Sequence, residues 1–287
     1  MKYCTEIDHN TIQCSLCEHK CVLIENAIGK CKVNQNVDGS LVCLVHSKPV
    51  AVHVDPIEKK PLFHFEIGSK TYSLGTYGCN FKCQWCQNYQ ISQSEIKNIE
   101  SITTYTPEEI VHNALTNNCS SISYTYNEPT IFYPYARDIG MLAKERGLKN
   151  IFVSNGFQTE TIIEDMKTWV DACNIDLKCF NVKNCKMFTG GDINVVLRNL
   201  KLLAKSDIHL EITTLVIPDF NDSDEELKQI AEFIVTYLGS DVPWHVSAFH
   251  PDYKMTDKSI TSKETIFRAM EIGTKSGLKY VYPGNIW

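Results

Sequence analysis

From about residue 70 onward, short apolar runs alternate with longer amphipathic runs. Apolar runs of roughly four to eight residues indicate strands buried on both faces, whereas apolar positions repeating about every 3.6 residues indicate helices. The predicted strands are 72–77, 121–126, 150–154, 174–178, 209–217 and 244–249, followed by a last one near 279–282. The predicted helices between them are 107–117, 131–146, 160–170, 194–205, 224–238 and 262–276.

Two of these helices begin with clear start signals. Thr106 is followed by Pro107 and two acidic residues, and 221–226 is a similar polar, acidic stretch. An N-cap hydroxyl, a proline at the first position and early acids are typical of helix N-termini. Strands that alternate with helices favour a parallel sheet. The predicted fold class is therefore α/β: a partial (βα)6 TIM-like barrel that spans 69–287.

Residues 1–68 follow a different pattern. The first 45 residues have no clear periodicity and contain six cysteines, namely Cys4, Cys14, Cys17, Cys21, Cys31 and Cys43. We interpret this part as a small cysteine-rich module organised by a bound metal. Two short strands are predicted at 41–45 and 50–54. The segment 55–65 contains two prolines and is predicted to be a solvated loop, the alternative being that Lys59, Lys60 and His64 approach a ligand pocket.

The composition of the chain excludes some classes of function. The net charge of −6 argues against a nucleic-acid binder, which usually carries a basic excess. No apolar run approaches the ~18 residues of a membrane helix, and the first residues contain no apolar signal-peptide core. These features predict a cytoplasmic protein. In a reducing compartment, the 13 cysteines are expected to ligate metals or to carry redox chemistry rather than to form a disulfide scaffold.

Polar residues and glycines follow nearly every predicted strand. In barrels of this type the chemistry lies at the carboxyl ends of the strands. The segments at those ends are 78–80, 127–129, 155–157, 178–180, 218–221 and 250–252. This pattern fits one shared site better than six unrelated turns.

The first of these strand ends carries a cysteine trio. Cys79, Cys83 and Cys86 form a C-x3-C-x2-C motif. Such short spacing lets three thiolates bind one metal ion or cluster. Thiolates are soft ligands that suit iron–sulfur clusters or zinc. Three ligands leave one metal position open, as a catalytic metal requires. The alternative is a structural zinc knuckle with a remote fourth cysteine.

A C-x3-C-x-aromatic-C motif after the first strand of a partial barrel, here with Trp85 before the third cysteine, resembles the radical S-adenosylmethionine (SAM) superfamily. The resemblance covers about 70–285. It implies a [4Fe–4S] cluster on Cys79, Cys83 and Cys86, with SAM chelating the fourth iron. It further implies that reduction cleaves SAM to methionine and a 5′-deoxyadenosyl radical, which abstracts hydrogen from a substrate.

Further motifs resemble the branch that contains pyruvate formate-lyase activating enzymes. Residues 86–88 are similar to its Cys-His-Asn, 127–129 to the end of its Gly-Gly-Glu-Pro, 154–157 to its Asp-x-Asn-Gly, and 176–178 to its Asp-Leu-Lys. This chain has Tyr126-Asn127 in place of Gly-Gly, and Ser154 in place of the aspartate. The cofactor-binding residues that the resemblance implies are Trp85, Asn88, Asn127, Glu128, Ser154, Asn155, Asp176, Lys178 and His250.

Closer still, the sequence resembles the AmmeMemoRadiSam-system radical SAM enzymes. That resemblance rests on the N-terminal cysteines and on segments 55–65, 125–130, 249–255 and 282–285. It spans almost the whole chain, and its motifs do not reveal a physiological substrate.

The N-terminal cysteines offer a second candidate metal site. Cys14, Cys17, Cys21 and Cys31 place four thiolates within 18 residues. Four ligands close a site, which suits structural zinc or an auxiliary [4Fe–4S] cluster. Cys4 and Cys43 are possible substitutes, and unligated thiols are the plain alternative.

The sequence thus predicts a radical SAM enzyme of oxidoreductase type, with an unknown small-molecule or protein substrate and a reductant such as flavodoxin or ferredoxin. One alternative is an activase that generates a glycyl radical on a partner enzyme. An alternative of another class is a non-catalytic zinc-binding scaffold. Modification of RNA by a radical enzyme is disfavoured by the acidic charge balance.

Overall fold

The parallel sheet predicted from the alternating pattern is present. The computed structural model describes residues 3–94 and 99–286. Its strands, in chain order, are β1 (Cys4–Asp8), β2 (Thr11–Cys14), β3 (Val22–Leu23), β4 (Asn34–Val37), β5 (Ser40–Cys43), β6 (Ala51–Pro56), β7 (Lys70–Gly75), β8 (Ser121–Tyr124), β9 (Lys149–Ser154), β10 (Ala172–Asp176), β11 (His209–Val216), β12 (Trp244–Ala248) and β13 (Val281–Gly284).

Helices connect the strands of the sheet. They are α1 (Tyr89–Ser92), α2 (Pro107–Thr116), α3 (Tyr133–Glu145), α4 (Glu160–Met166), α5 (Val182–Thr189), α6 (Ile193–Leu203), α7 (Asp224–Phe233) and α8 (Lys263–Lys275). Short 3-10 turns lie at Ile57–Lys59, Ile99–Ser101 and Pro129–Phe132, and a π turn at Ile234–Leu238 extends α7. The predicted start of α2 is confirmed by a capping box, in which Thr106 and Glu109 each accept a backbone N–H of the other. Helix α5 is not among the predicted helices.

Strands β6 to β13 form one sheet in which neighbours in space are neighbours in sequence. Strands β7 to β13 run parallel, and β6 pairs antiparallel with β7. The strands β7 to β12 each lead into a helix on the way to the next strand, which confirms the predicted partial (βα)6 barrel. Because β6 begins at residue 51, the sheet starts before the predicted boundary at residue 69.

The N-terminal module consists of a three-stranded sheet, β1-β2-β3, and the hairpin β4-β5. Its apolar side chains, such as Ile12 and Val33, belong to the same buried core as Leu74 of β7. The module also contacts the barrel through polar groups. Cys17 forms a β-bridge with Gln158, and the Glu18 carboxylate lies 2.9 Å from the Arg198 guanidinium. The module is thereby packed against the carboxyl end of β9 and against α6.

The segment 57–65 packs against the sheet, and its Lys59 lines a cavity together with Gln87 and Asn88 of the loop after β7. Glu211, near the start of β11, accepts backbone N–H groups of Phe63 and His64 at 2.8–3.0 Å. Lys60 is 2% exposed and donates to Asp55 at 2.6 Å. The prediction of a solvated loop is therefore wrong for most of 55–65, since only Pro56 and Lys59 in it are exposed. None of the helices among the described residues is long and apolar enough to span a bilayer.

Candidate active site

The cysteine trio lies in the loop that follows β7. Backbone N–H groups of Lys82 and Gln84 donate to the carbonyls of Thr189 and Phe188 at 2.7 and 3.2 Å. These two carbonyls belong to the last turn of α5, which Gly190 terminates at φ 79°. An N-cap asparagine at Asn181 and a glycine after Thr189 are ordinary helix boundaries, so this helix carried a usable sequence signal. Helix α5 fixes the middle of the cysteine loop.

The three thiols are mutual neighbours, and Cys83 is buried whereas Cys79 and Cys86 are half-buried. Burial raises the pKa of Cys83 to about 12, and it raises the pKa of Cys79 well above its usual value, with Glu128 and Cys83 adding to the effect. The Cys86 sulfur lies 3.0 Å from the Ser92 hydroxyl. Cys79 and Cys83 are thus favoured as neutral thiols, and a bound cation would stabilise them as thiolates. Three neighbouring thiol donors without a fourth cysteine leave one metal position open. This arrangement fits the cluster expected from the sequence.

In residues 3–94 and 99–286, no three or more Cys, His, Asp or Glu side chains already stand in the geometry of a bound metal ion. The backbone of the loop is held by α5 at Lys82 and Gln84.

Buried polar side chains connect the ends of β8 and β9. Glu128 is 2% exposed. Its carboxylate accepts from the Thr130 N–H at 3.0 Å, from the Ser154 hydroxyl at 2.8 Å and from the Asn155 N–H at 2.8 Å. Burial raises the pKa of Glu128, and these hydrogen bonds oppose that effect. Glu128 and Ser154 are thus hydrogen-bonded to each other, and their role as SAM contacts stays a prediction.

Three asparagines join this network to the cysteine loop. The Asn155 amide donates to the Asn80 side chain at 2.7 Å. Asn127 accepts from the Thr76 N–H at 3.1 Å and donates to the Gly78 carbonyl at 2.8 Å. Asn88 donates to the Tyr126 carbonyl at 2.6 Å. These predicted site residues hold the loop at the carboxyl ends of β8 and β9.

The remaining predicted contacts form a more accessible rim. Lys178 donates to Asp176 at 2.7 Å, and their side chains are 20% and 35% exposed. Burial disfavours the lysine's charge, yet Asp176 and the nearby Cys83 keep the pKa of Lys178 above its usual value. His250 Nε2 lies 3.0 Å from the Gln87 side-chain nitrogen, within the trio's loop. A fixed cation and an imidazole beside three thiols suit the binding of a carboxylate-bearing ligand.

The side chains of Trp85 and Cys179 each contact another side chain of the protein. Trp85 is 3% exposed, and its ring lies 5.0 Å from that of Phe220. Cys179 forms a disulfide with Cys185, the first residue lying after β10 and the second in α5. This disulfide is not among the features predicted from the sequence. The disulfide joins the strand end that carries Lys178 to the helix that holds the cysteine loop.

The four N-terminal cysteines of the second candidate site lie around one cavity. Its lining includes Cys14, Cys17, Cys21 and Cys31, together with Leu16, Leu23 and other residues of the module. Cys4 lies opposite Cys14 in the β1–β2 pair, and Cys43 approaches the Ile131 carbonyl at 3.9 Å. Neither Cys4 nor Cys43 is part of that lining.

We expect Glu128→Gln to lower the free energy of unfolding by about 1–3 kcal/mol, because an amide in place of one carboxylate oxygen leaves a buried donor unpaired. Urea denaturation measures the change. Glu145→Gln, at an exposed position of α3, is the control and should have almost no effect. A Glu128→Gln protein of unchanged stability that binds SAM more weakly would instead assign the carboxylate to the ligand.

Comparison with known proteins identifies the class to which this site and fold belong. The Radical SAM superfamily model matches residues 73–234, so the chain belongs to that superfamily. Members of this superfamily are enzymes, and membership implies a [4Fe–4S] cluster and SAM.

Similarity to individual proteins narrows the branch of the superfamily to which the chain is related. The chain is 40% identical over 284 residues to the uncharacterized protein MJ0808 of Methanocaldococcus jannaschii, covering 98% of this chain and 83% of that protein. It is 21% identical to the pyruvate formate-lyase 1-activating enzyme of Escherichia coli, covering 71% and 89%. A radical SAM methyltransferase from Sphaerobacter thermophilus shares the fold, with a TM-score of 0.59, 14% identity and coverage of 77% and 67%. The branch resemblance is thereby confirmed, whereas the AmmeMemoRadiSam resemblance stays a prediction.

Proposed function

We propose that this protein reductively cleaves SAM at a [4Fe–4S] cluster held by Cys79, Cys83 and Cys86, and that it abstracts hydrogen from a substrate. The observation that carries the proposal is the trio of neighbouring thiols at the carboxyl end of the first parallel strand, facing Lys178. The bound cluster supplies one electron that breaks a carbon–sulfur bond of SAM, leaving methionine and a 5′-deoxyadenosyl radical.

The residues around the trio bind SAM and hold the cysteine loop in position. Lys178, held by Asp176, is the cation available to the SAM carboxylate, and His250 and Gln87 line the same rim. Asn88 and Asn127 hold the backbone around the trio, while Glu128, Ser154 and Asn155 hold the neighbouring strand ends together. Trp85 closes the apolar side of the loop against Phe220. Burial of the thiols limits access of water to the cluster.

Anaerobic reconstitution tests the proposal directly. The protein should take up about four irons and four sulfides at the trio. Under a strong one-electron reductant it should release 5′-deoxyadenosine and methionine from SAM, and omission of the reductant is the control. A fully reconstituted protein that never cleaves SAM contradicts the proposed function. Zinc in both cysteine sites with no SAM binding would favour the non-catalytic scaffold.

A glycyl-radical activase is the second candidate for the substrate. It is supported by the similarity to the E. coli activating enzyme, which acts on pyruvate formate-lyase. In that case the substrate is a glycine of a partner enzyme. Co-expression with candidate partners, followed by electron paramagnetic resonance, should show a glycyl radical that depends on Cys83. An unaltered spectrum alongside active SAM cleavage would favour a small-molecule substrate instead.

The proposed chemistry needs a low-potential electron donor, which we assign to a flavodoxin or ferredoxin of the cytoplasm. The net charge of −6 gives no support to a nucleic-acid substrate. Anaerobic cleavage assays with reduced flavodoxin in place of the chemical reductant test the assignment of the donor.

A further inference from the structure

The N-terminal module gathers four thiols that the proposed reaction does not use. Cys14, Cys17, Cys21 and Cys31 come from β2, the turns before β3 and the turn before β4, yet they line one cavity. A side chain at Gly29 would stand 3.7 Å from the sulfurs of both Cys21 and Cys31, so these two thiols flank the same point. Apolar residues such as Leu16 and Leu23 form the rest of the wall and shield the sulfurs from water.

Buried amide groups point at these sulfurs. The Asn34 side chain is 2% exposed and donates to the Cys31 sulfur at 3.4 Å. Asn80 is 4% exposed, and its side-chain nitrogen has no hydrogen-bond partner among the described residues. That side chain lies beside the Cys17 sulfur. Amide donors of this kind favour thiolates, which are the form that binds metal.

The same module touches the loop of the cysteine trio. His19 Nε2 lies 2.8 Å from the Asn80 carbonyl, and Asn80 directly follows Cys79. A side chain at Gly78 would meet the Cys31 carbonyl at 2.5 Å, so the two backbones are closely apposed. Glu18 donates its N–H to the Phe157 carbonyl at 3.1 Å beyond β9. The fold of the N-terminal module therefore supports the position of the loop that carries Cys79.

We propose that Cys14, Cys17, Cys21 and Cys31 hold a closed four-thiolate metal centre that orders the N-terminal module and supports the loop of the trio. Thiolate ligation is the chemistry shared by its two possible occupants, Zn²⁺ and a [4Fe–4S] cluster. The β-sheets of the module have only two to five residues per strand, and a bound metal adds cross-links between them. This centre does not depend on SAM cleavage.

The test uses the full chain with the trio removed. Cys79→Ala/Cys83→Ala/Cys86→Ala protein, purified anaerobically, should retain about one zinc, or about four irons and four sulfides, per chain. Adding Cys14→Ala and Cys31→Ala should remove that metal, whereas adding Cys119→Ser, a buried thiol outside both sets, should leave it in place. Elemental analysis and Mössbauer spectroscopy distinguish zinc from the cluster, and either result supports the site.

A folded trio variant without bound metal, as judged by circular dichroism, would overturn the proposal. If the Cys14/Cys31 variants fail to fold, alkylation of the wild-type protein followed by mass spectrometry gives the answer. The four thiols should resist labelling until a chelator removes the metal, and equal labelling before and after chelation contradicts the site. Because the readout is metal content, its failure is distinguishable from failure of SAM cleavage, which is measured on the wild-type protein.

Discussion

Replacing Cys83 by alanine should abolish reductive cleavage of SAM. Cys83 is the most buried member of the trio, and within the trio its sulfur contributes most to raising the pKa of Lys178. Two remaining thiols cannot hold a [4Fe–4S] cluster with a single open iron position. We expect cleavage to fall to the background of enzyme-free assays, with loss of the trio's iron and sulfide. High-performance liquid chromatography of 5′-deoxyadenosine checks the activity, and iron analysis checks the cluster.

The control for this prediction is Cys119→Ser. Cys119 is also a buried thiol, but it lies before β8, away from the strand ends that carry the site. Its replacement should leave the iron content and the rate of cleavage unchanged. If Cys83→Ala protein still cleaves SAM, the trio does not take part in the reaction, whatever the result with Cys119→Ser.

Much of the barrel could be predicted because its signals are local. A strand such as β11 is rich in apolar and β-branched residues, and the start of α2 is encoded in four consecutive residues. The spacing of Cys79, Cys83 and Cys86 is equally local. Each of these features depends on neighbours in sequence, for which pattern and capping rules are informative.

The connections between distant segments could not be predicted in the same way. The sequence places Glu128 at a strand end, but only the fold shows that its carboxylate accepts from the Asn155 N–H. Likewise, Lys60 is a charged residue between prolines, and its burial depends on Asp55 and on the Tyr126 ring, 4.6 Å from its nitrogen. A buried charge is tolerated only where its partner is supplied, and the partner is set by tertiary structure.

Glu211 shows how much stability such a contact provides. Its side chain is fully buried at the start of β11, where it lies 2.9 Å from His209 Nε2 and 2.6 Å from His245 Nε2 and accepts two backbone N–H groups of 63–64. We expect Glu211→Gln to lower the free energy of unfolding by about 3–5 kcal/mol, because an amide cannot satisfy all four of these partners. Urea denaturation measures the loss. Glu232→Gln, at an exposed position in α7, should change it little.

The pH dependence of unfolding gives a second check on the same carboxylate. Burial alone would raise the pKa of Glu211, but the two histidines and the backbone donors outweigh it and lower the pKa from 4.5 to about 2. An acid whose pKa is depressed by folding stabilises the protein fully above its unfolded pKa, and that stabilisation is lost as the pH falls through the folded value. The wild-type protein should therefore lose about 3 kcal/mol between roughly pH 4.5 and pH 2 that the Glu211→Gln protein does not lose. The difference between the two unfolding free energies should shrink steadily over this interval, and a difference that is constant with pH would show that folding does not lower the pKa of Glu211.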